Sequence, residues 1–195
     1  MSLREEILDV SKELLIKNGF GNISMRKIAK RLDVTATSIY LYFKNKDELL
    51  LSLIEESIND LNRSLKNSLV DGDDPVEQFE SIINAYIGYA LNHPQEYEII
   101  YMVRAEEMPK YPKEKFEQIR DTYEILEKVI REGKEKELFE VDNPLISAYS
   151  IWAQTHGIVS VVLNKRLDTR IPTQQFINQA VEHLVQGFLV QKTPA

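Results

Sequence analysis

Between Ser24 and Lys46 the chain reads SMRKIAKRLDVTATSIYLYFKNK, and its chemistry-bearing side chains are cations and hydroxyls. Arg26, Lys27, Lys30, Arg31, Lys44 and Lys46 surround apolar anchors at Met25, Ile28, Ala29, Leu32, Val34, Ile39 and Phe43. Six Lys/Arg stand against one Asp here, a local net charge of +5. Such side chains suit phosphate oxygens and base edges. The groupings that make and break covalent bonds are missing. There is no Cys, no Gly-rich phosphate loop and no metal-spaced pair among His93, His156 and His183. His156 and His183 read as core histidines more readily than as metal ligands. Acidic pairs such as Glu55-Glu56 and Glu106-Glu107 read as solvated helix faces.

Two short helices joined by a tight turn would position the basic stretch. Ser24 is a good N-cap, and Met25, Ile28, Ala29 and Leu32 recur at helical spacing. Asp33 breaks the pattern, and Asp tolerates a left-handed turn position. Thr35 can cap a second helix, to about Tyr42, whose buried side carries Val34, Ile39 and Phe43. The pattern predicts a helix-turn-helix, which lays its second helix in the DNA major groove.

Ile28-Ala29, Val34-Thr35 and the run Ser38-Ile39-Tyr40-Leu41-Tyr42-Phe43-Lys44-Asn45-Lys46-Asp47-Glu48-Leu49-Leu50 resemble the DNA-binding signature of the tetracycline-repressor (TetR) family. The resemblance departs at Asp33, where the family usually has Gly, and at Thr37, where it often has Gly or Pro. It implies that Arg26, Ala36, Thr37 and Tyr42 face base edges, and that Ser24, Ser38, Tyr40 and Lys46 meet phosphates. Thr35 joins this set at the head of the reader helix. The roles are chemically apt. Arg26 can pair bidentately with guanine, Ala36 and the Thr37 methyl can pack on a thymine methyl, and hydroxyls and Lys suit phosphate oxygens.

The whole chain has 195 residues, 43% hydrophobic content and a net charge of −7. Residues 1–50 hold nine Lys/Arg and seven Asp/Glu, whereas residues 51–195 hold fifteen and twenty-four. A cationic patch on an acidic body steers one face toward phosphates. Few Gly and Pro, and no strongly alternating stretch, predict an all-α fold of about nine helices. The lack of a signal-like or membrane-spanning stretch predicts a cytoplasmic protein.

Taken in order, a support helix spans residues 4–18 and Asn18-Gly19 stops it. A fourth helix runs from Asp47 to about Val70, roughly 35 Å, and belongs to both halves of the chain. The predicted domains are residues 1–50, which bind DNA, and 51–195, for ligand binding and dimerisation. The strongest break is Asp71-Gly72-Asp73-Asp74-Pro75. A fifth helix follows from Pro75 to Leu91, then a sixth to Val103. The stretch Met108-Pro109-Lys110-Tyr111-Pro112 reads as a loop. A seventh helix, from Lys113, is stopped by Gly133. The eighth starts at Pro144, and the ninth runs from Thr173 to about Val190.

The last two helices are too apolar for ordinary surface helices. Small residues at Ala153, Gly157 and Ser160, and at Ala180 and Gly187 beside Leu184 and Phe188, predict a homodimer. In it these two helices pair with their symmetry mates. A second group is aromatic. Phe79, Tyr86, Tyr89, Tyr101, Met102, Phe116, Tyr123, Trp152 and His156 are candidate lining for a cavity that takes a small hydrophobic or aromatic ligand, with Glu96, Arg104 and Glu106 as further groups that could select charge. The segment Trp152 to Gly157 resembles a Trp…His-Gly motif of one TetR subgroup. No metal or cofactor is implied. The resulting expectation is a homodimeric repressor released from a palindromic operator by a small ligand. The alternatives are a helical DNA-binding adaptor with a filled core, or a helical enzyme.

Overall fold

The computed structural model describes residues 2–70, 72, 74–102 and 116–190, and at residues 20, 102 and 116–120 the backbone alone. Among the described residues there are nine α-helices: α1 Leu3–Asn18, α2 Met25–Arg31, α3 Ala36–Tyr40, α4 Lys46–Asn67, α5 Pro75–Asn92, α6 Pro94–Met102, α7 Phe116–Glu135, α8 Pro144–Leu163 and α9 Thr173–Gln186. A 3₁₀ turn, Phe20–Asn22, follows α1. The chain forms two compact units. Met1–Asp60 packs with His93–Gln118, and Leu61–Asn92 packs with Ile119–Ala195.

In the first unit α1 begins with a capping box. The Glu5 N–H donates to Ser2 Oγ, and the Ser2 N–H donates to Glu5 Oε2 at 2.7 Å. Both interactions satisfy helix-start donors that would otherwise lack partners. Ile7, Leu8 and Leu15 are buried along the inner stripe, and Gly19 ends the helix at φ 72°. A left-handed φ of that kind favours a residue without Cβ. Ile23, Met25, Ile28, Ala29, Ile39 and Phe43 complete the small core with the first part of α4.

In the second unit Pro144 opens α8, and Asn143 Oδ1 accepts from the Leu145 and Ile146 N–H groups at 3.0 and 3.1 Å. Pro is well suited to this first helical position, where its missing N–H is not needed. The centre of the unit includes Phe79, fully buried, with the rings of Phe139 and Phe188 at 5.3 and 5.8 Å.

Two helix boundaries differ from those the sequence predicts. α7 runs through Gly133 to Glu135, and Glu137 then turns the chain with φ 56°. A lone Gly costs a helix only about 1 kcal/mol, and packing outweighs it because the Phe139 ring lies against the bare Gly133 backbone. α9 stops at Gln186 instead of Val190. The following residues pair with the segment after α7. The Glu140 N–H donates to Phe188 O at 2.9 Å, and the Val190 N–H to Leu138 O at 3.0 Å. This pairing draws Phe188 onto Phe79 and takes Leu189 and Val190 out of the helix. The loop expected at Met108–Pro112 lies outside the described residues.

Gly133→Ala should therefore destabilise the fold, although Ala is the better helix former. The new methyl would enter the Phe139 ring, which Phe79 holds from the other side. We expect a loss of about 1–3 kcal/mol, as for other overpacked cores, measured by urea denaturation. An unchanged midpoint would show that the ring can yield.

Candidate nucleic-acid interface and inner cavity

The turn between α2 and α3 is built by the backbone. Ser24 Oγ accepts from the Lys27 N–H at 3.3 Å and starts α2. Asp33 takes φ 55° just past the end of α2, and the Val34 N–H reaches back to Ala29 O at 3.0 Å. A left-handed residue with this backward bond is the Schellman way of ending a helix. Thr35 then caps α3: its Oγ1 accepts from the Ser38 N–H at 3.3 Å and lies 2.9 Å from Ser38 Oγ. Beyond α3, Asn45 Oδ1 accepts from the Glu48 N–H at 2.9 Å, and the Glu48 carboxylate accepts from the Lys44 N–H. The reader helix is thus fixed at both ends.

Ile39 and Phe43 anchor α3 from below, fully buried. The Arg4 guanidinium lies 5.5 Å from the centre of the Phe43 ring and also pairs with Glu56 at 3.3 Å. Arg26, Lys27, Lys30, Arg31 and Lys44 are exposed around this core, and Lys46 is half-buried. Lys27 Nζ donates to Asn22 O at 2.6 Å, and Arg31 lies 3.8 Å from Glu13. Of the candidate DNA contacts, Arg26, Thr35, Thr37, Tyr40 and Tyr42 are exposed, while Ser24, Ala36, Ser38 and Lys46 are half-buried. Tyr40 and Tyr42 keep 52% and 44% of their surface in solvent. The structure gathers the whole set on one side of one small unit. Leu41, which the residue pattern did not single out, is 80% exposed in their midst.

α6 belongs to this same unit and is tied to α1 by an ion pair, Lys12 Nζ to Glu96 Oε1 at 2.9 Å. Burial raises the Glu96 pKa, but the hydrogen bond from Lys12 outweighs it and holds the carboxyl below its ordinary value. Tyr101 sits in this unit too, its ring 4.8 Å from that of Tyr97.

The second unit holds a narrow slot lined by Leu65, Ile82, Ile83, Tyr86, Thr122, Tyr123, Leu126, Ile151, Trp152 and Thr155. Its free volume is about 20 Å³, room for about one water. No charged side chain lines it. Trp152 Nε1 donates to Tyr86 Oη at 3.2 Å, and Thr122 Oγ1 donates to the buried Asn62 Oδ1 at 2.6 Å. Tyr123 meets Trp152 edge-on at 5.5 Å and stacks on Tyr149 at 4.0 Å. His156 stacks on Trp152 at 5.5 Å, and burial pushes its pKa down.

Of the aromatic candidates, Tyr86, Tyr123 and Trp152 line this slot and His156 backs it. Phe79 lies in the separate ring cluster, and Tyr89 is buried but does not line the slot. The side chains of Met102 and Phe116, with Arg104 and Glu106, lie outside the described residues. Attention to aromatic rings alone missed the aliphatic and threonine lining. Leu65, two helical turns before the end predicted for α4, and the Thr122/Leu126 and Ile151/Thr155 pairs at spacing four were the available signals.

Of the proposed pairing residues, Ala153, Gly157 and Gly187 are exposed, and Ser160 and Ala180 are half-buried. Leu184 faces the unit's own core, and Phe188 packs on Phe79. Leu145, Ile146 and Tyr149 are exposed on α8. An open groove of about 570 Å³ on α9 and the loop before it is lined by Ile171, Phe176, Ala180 and His183, among others. Among the described residues no group of three or more acidic or His side chains is placed to hold a metal, and no helix is long and apolar enough to cross a membrane.

Comparison with known proteins matches residues 7–53 to the family described as "Bacterial regulatory proteins, tetR family". Residues 79–187 match "Tetracyclin repressor-like, C-terminal domain". A fatty acid metabolism regulator protein of Bacillus subtilis (strain 168) is 30% identical over 81 residues, covering 42% of this chain and 42% of that protein. The HTH-type transcriptional regulator QacR of Staphylococcus aureus (strain Mu50 / ATCC 700699) is 41% identical over 59 residues, covering 29% of this chain and 31% of its own. The chain thus spans less than half the length of these curated relatives. A protein of unknown function from Rhodococcus sp. RHA1 superposes with a TM-score of 0.82 over 97% of both chains at 20% identity, which shows shared fold. The reader helices fall in the first matched region and the slot-bearing unit largely in the second, which alone spans more than half of the sequence: the chain belongs to the tetracycline-repressor family of bacterial regulatory proteins.

Proposed function

We propose that this chain is a homodimeric, cytoplasmic transcriptional repressor that holds a palindromic operator and releases it when a small effector enters the second unit. One observation carries the reading. A helix-turn-helix capped at Ser24 and Thr35 presents tyrosines, hydroxyls and cations outward from a small, fully anchored core. In this reading residues 1–50 bind DNA, and residues 51–195 bind the effector and pair the protomers. Ser24, Ser38, Tyr40 and Lys46 hold phosphates while Arg26 and Thr37 meet bases. The slot's uncharged lining supports an effector whose buried part is apolar or aromatic and neutral, since a buried charge without a partner costs several kcal/mol. Ala153, Gly157, Ser160 and Ala180, flanked by exposed Leu145, Ile146 and Tyr149, support close pairing of α8 and α9 with a second copy.

The mechanism is a population shift. An effector that fits better in one arrangement of the second unit draws the dimer to that arrangement, and the reader helices lose the half-site spacing. α4 is the natural carrier, because its residues up to Asp60 belong to the first unit and those from Leu61 to the second.

Three measurements test these assignments. Selection of bound duplexes from a random pool should recover a palindrome. Tyr40→Ala/Lys46→Ala should weaken it and reduce the salt slope by about two, one per lost phosphate contact; an unchanged slope would remove both residues from the backbone contacts. Gly157→Glu places a charge on the exposed small-residue face. It should leave the helical content intact, halve the mass in solution and lower operator affinity at least about tenfold, because one reader helix cannot supply both half-site contacts. A dimer that survives would move the interface elsewhere.

The third uses Trp152, the chain's single tryptophan, stacked on His156. Burial lowers the His156 pKa from its ordinary 6.5. The unfolded chain therefore takes up the proton first as pH falls. Stability from the neutral ring is full above about 6.5 and is lost as pH drops through the folded value. Trp152 emission should titrate with a midpoint below 6.5 that disappears in His156→Gln; a midpoint at or above 6.5 would mean that the ring is solvated.

A further inference from the structure

Leu41 keeps 80% of its surface in solvent, more than any other large apolar side chain among the described residues. Nothing in the fold requires it to be apolar. Its backbone is helical, φ −68° and ψ −25°, and its N–H donates to Thr37 O at 3.2 Å, so the helical turn from Thr37 to Leu41 is complete. At about 100° per residue, Thr37 and Leu41 lie about 160° and 200° around the helix from Ile39, the side chain that anchors α3 in the core. They straddle the line pointing straight out of the unit. Tyr40 and Ser38 flank that line, about 100° from Ile39 on either side. Ala36 lies only about 60° from Ile39, and it is half-buried.

We infer that Leu41, together with the Thr37 methyl, reads thymine 5-methyl groups on the floor of the major groove. The inference rests on the operator-binding reading above. If Tyr40 and Ser38 meet the two backbones that border the groove, the pair between them faces the base edges. A leucine tip can neither donate nor accept a hydrogen bond. Of the groups displayed in the major groove, only the thymine methyl is apolar. Set against guanine, cytosine or adenine, Leu41 would strip water from amino and carbonyl groups and return nothing. The basic rim of Arg26, Lys30 and Lys44 makes a polyanion the fitting occupant of this face, rather than a second protein. Leu41 thus acts as a specificity residue, and base recognition moves from Ala36 toward the Thr37–Leu41 line.

The test replaces each thymine of the selected operator, one at a time, with deoxyuridine, which removes the 5-methyl and nothing else. Full-length wild-type protein should lose about fourfold in affinity at one or more thymines per half-site, the worth of one buried methyl. Leu41→Ala, whose exposed position spares the core, should bind the thymine and uracil duplexes equally at those positions. Tyr40→Ala should weaken both duplexes and keep their ratio. If no thymine in the wild-type complex is sensitive, or if Leu41→Ala retains the full penalty, the inference is overturned while operator binding stands. If the random pool yields no enriched duplex at all, the operator reading falls and takes the inference with it.

Discussion

The 3.0 Å hydrogen bond from the Val34 N–H to Ala29 O is the constraint on which the DNA-facing surface depends. It forms only because Asp33 accepts a positive φ, a conformation that costs most residues about 1–2 kcal/mol and short polar ones less. The bond closes α2 and sets the direction in which α3 departs. α3, Ala36–Tyr40, is too short to persist alone. It is held by that turn, by the Thr35 cap, by Ile39 and Phe43 beneath, and by the Asn45–Glu48 pairing beyond. Every exposed side chain on it inherits its position from these supports.

Charge gives this geometry its reach. A local +5 between Ser24 and Lys46 sits in a chain of net −7, so the field favours approach to phosphates at one face and repels them elsewhere. The cationic rim attracts any nucleic acid. The uncharged residues at the centre of α3 are the ones that can tell one sequence from another. Attraction and discrimination are thereby placed on different residues, and each can vary without the other.

Much of this was legible in the sequence, for reasons that can be stated residue by residue. Ser24, Asp33 and Thr35 are local signals, because caps and left-handed turns depend on side-chain types within three residues. Ile28, Ile39 and Phe43 declared themselves by spacing and are buried. The second unit was less readable because its cavity is a tertiary product. Leu65 on α4, Tyr86 on α5, Thr122 on α7 and Trp152 on α8 meet only after packing. Phe79 and Tyr86 look alike in sequence, yet one belongs to a closed ring cluster and the other to the slot. Gly133 misled for a related reason. Its role is set by Phe139, six residues on, and not by the helix that contains it.

The slot's small size has a consequence for sensitivity. Between the described side chains there is about 20 Å³ of space, whereas a bound organic molecule needs a few hundred. Anything that seats there must first part Trp152 from Tyr86 and loosen the surrounding rings. The apparent dissociation constant is then the intrinsic one divided by the fraction of molecules already open. The dose at which a gene under such control would switch is accordingly written in the cohesion of the empty pocket as much as in its fit to the inducer. Substitutions that merely loosen Tyr123 or Leu126 would retune that threshold without touching the molecule that is sensed.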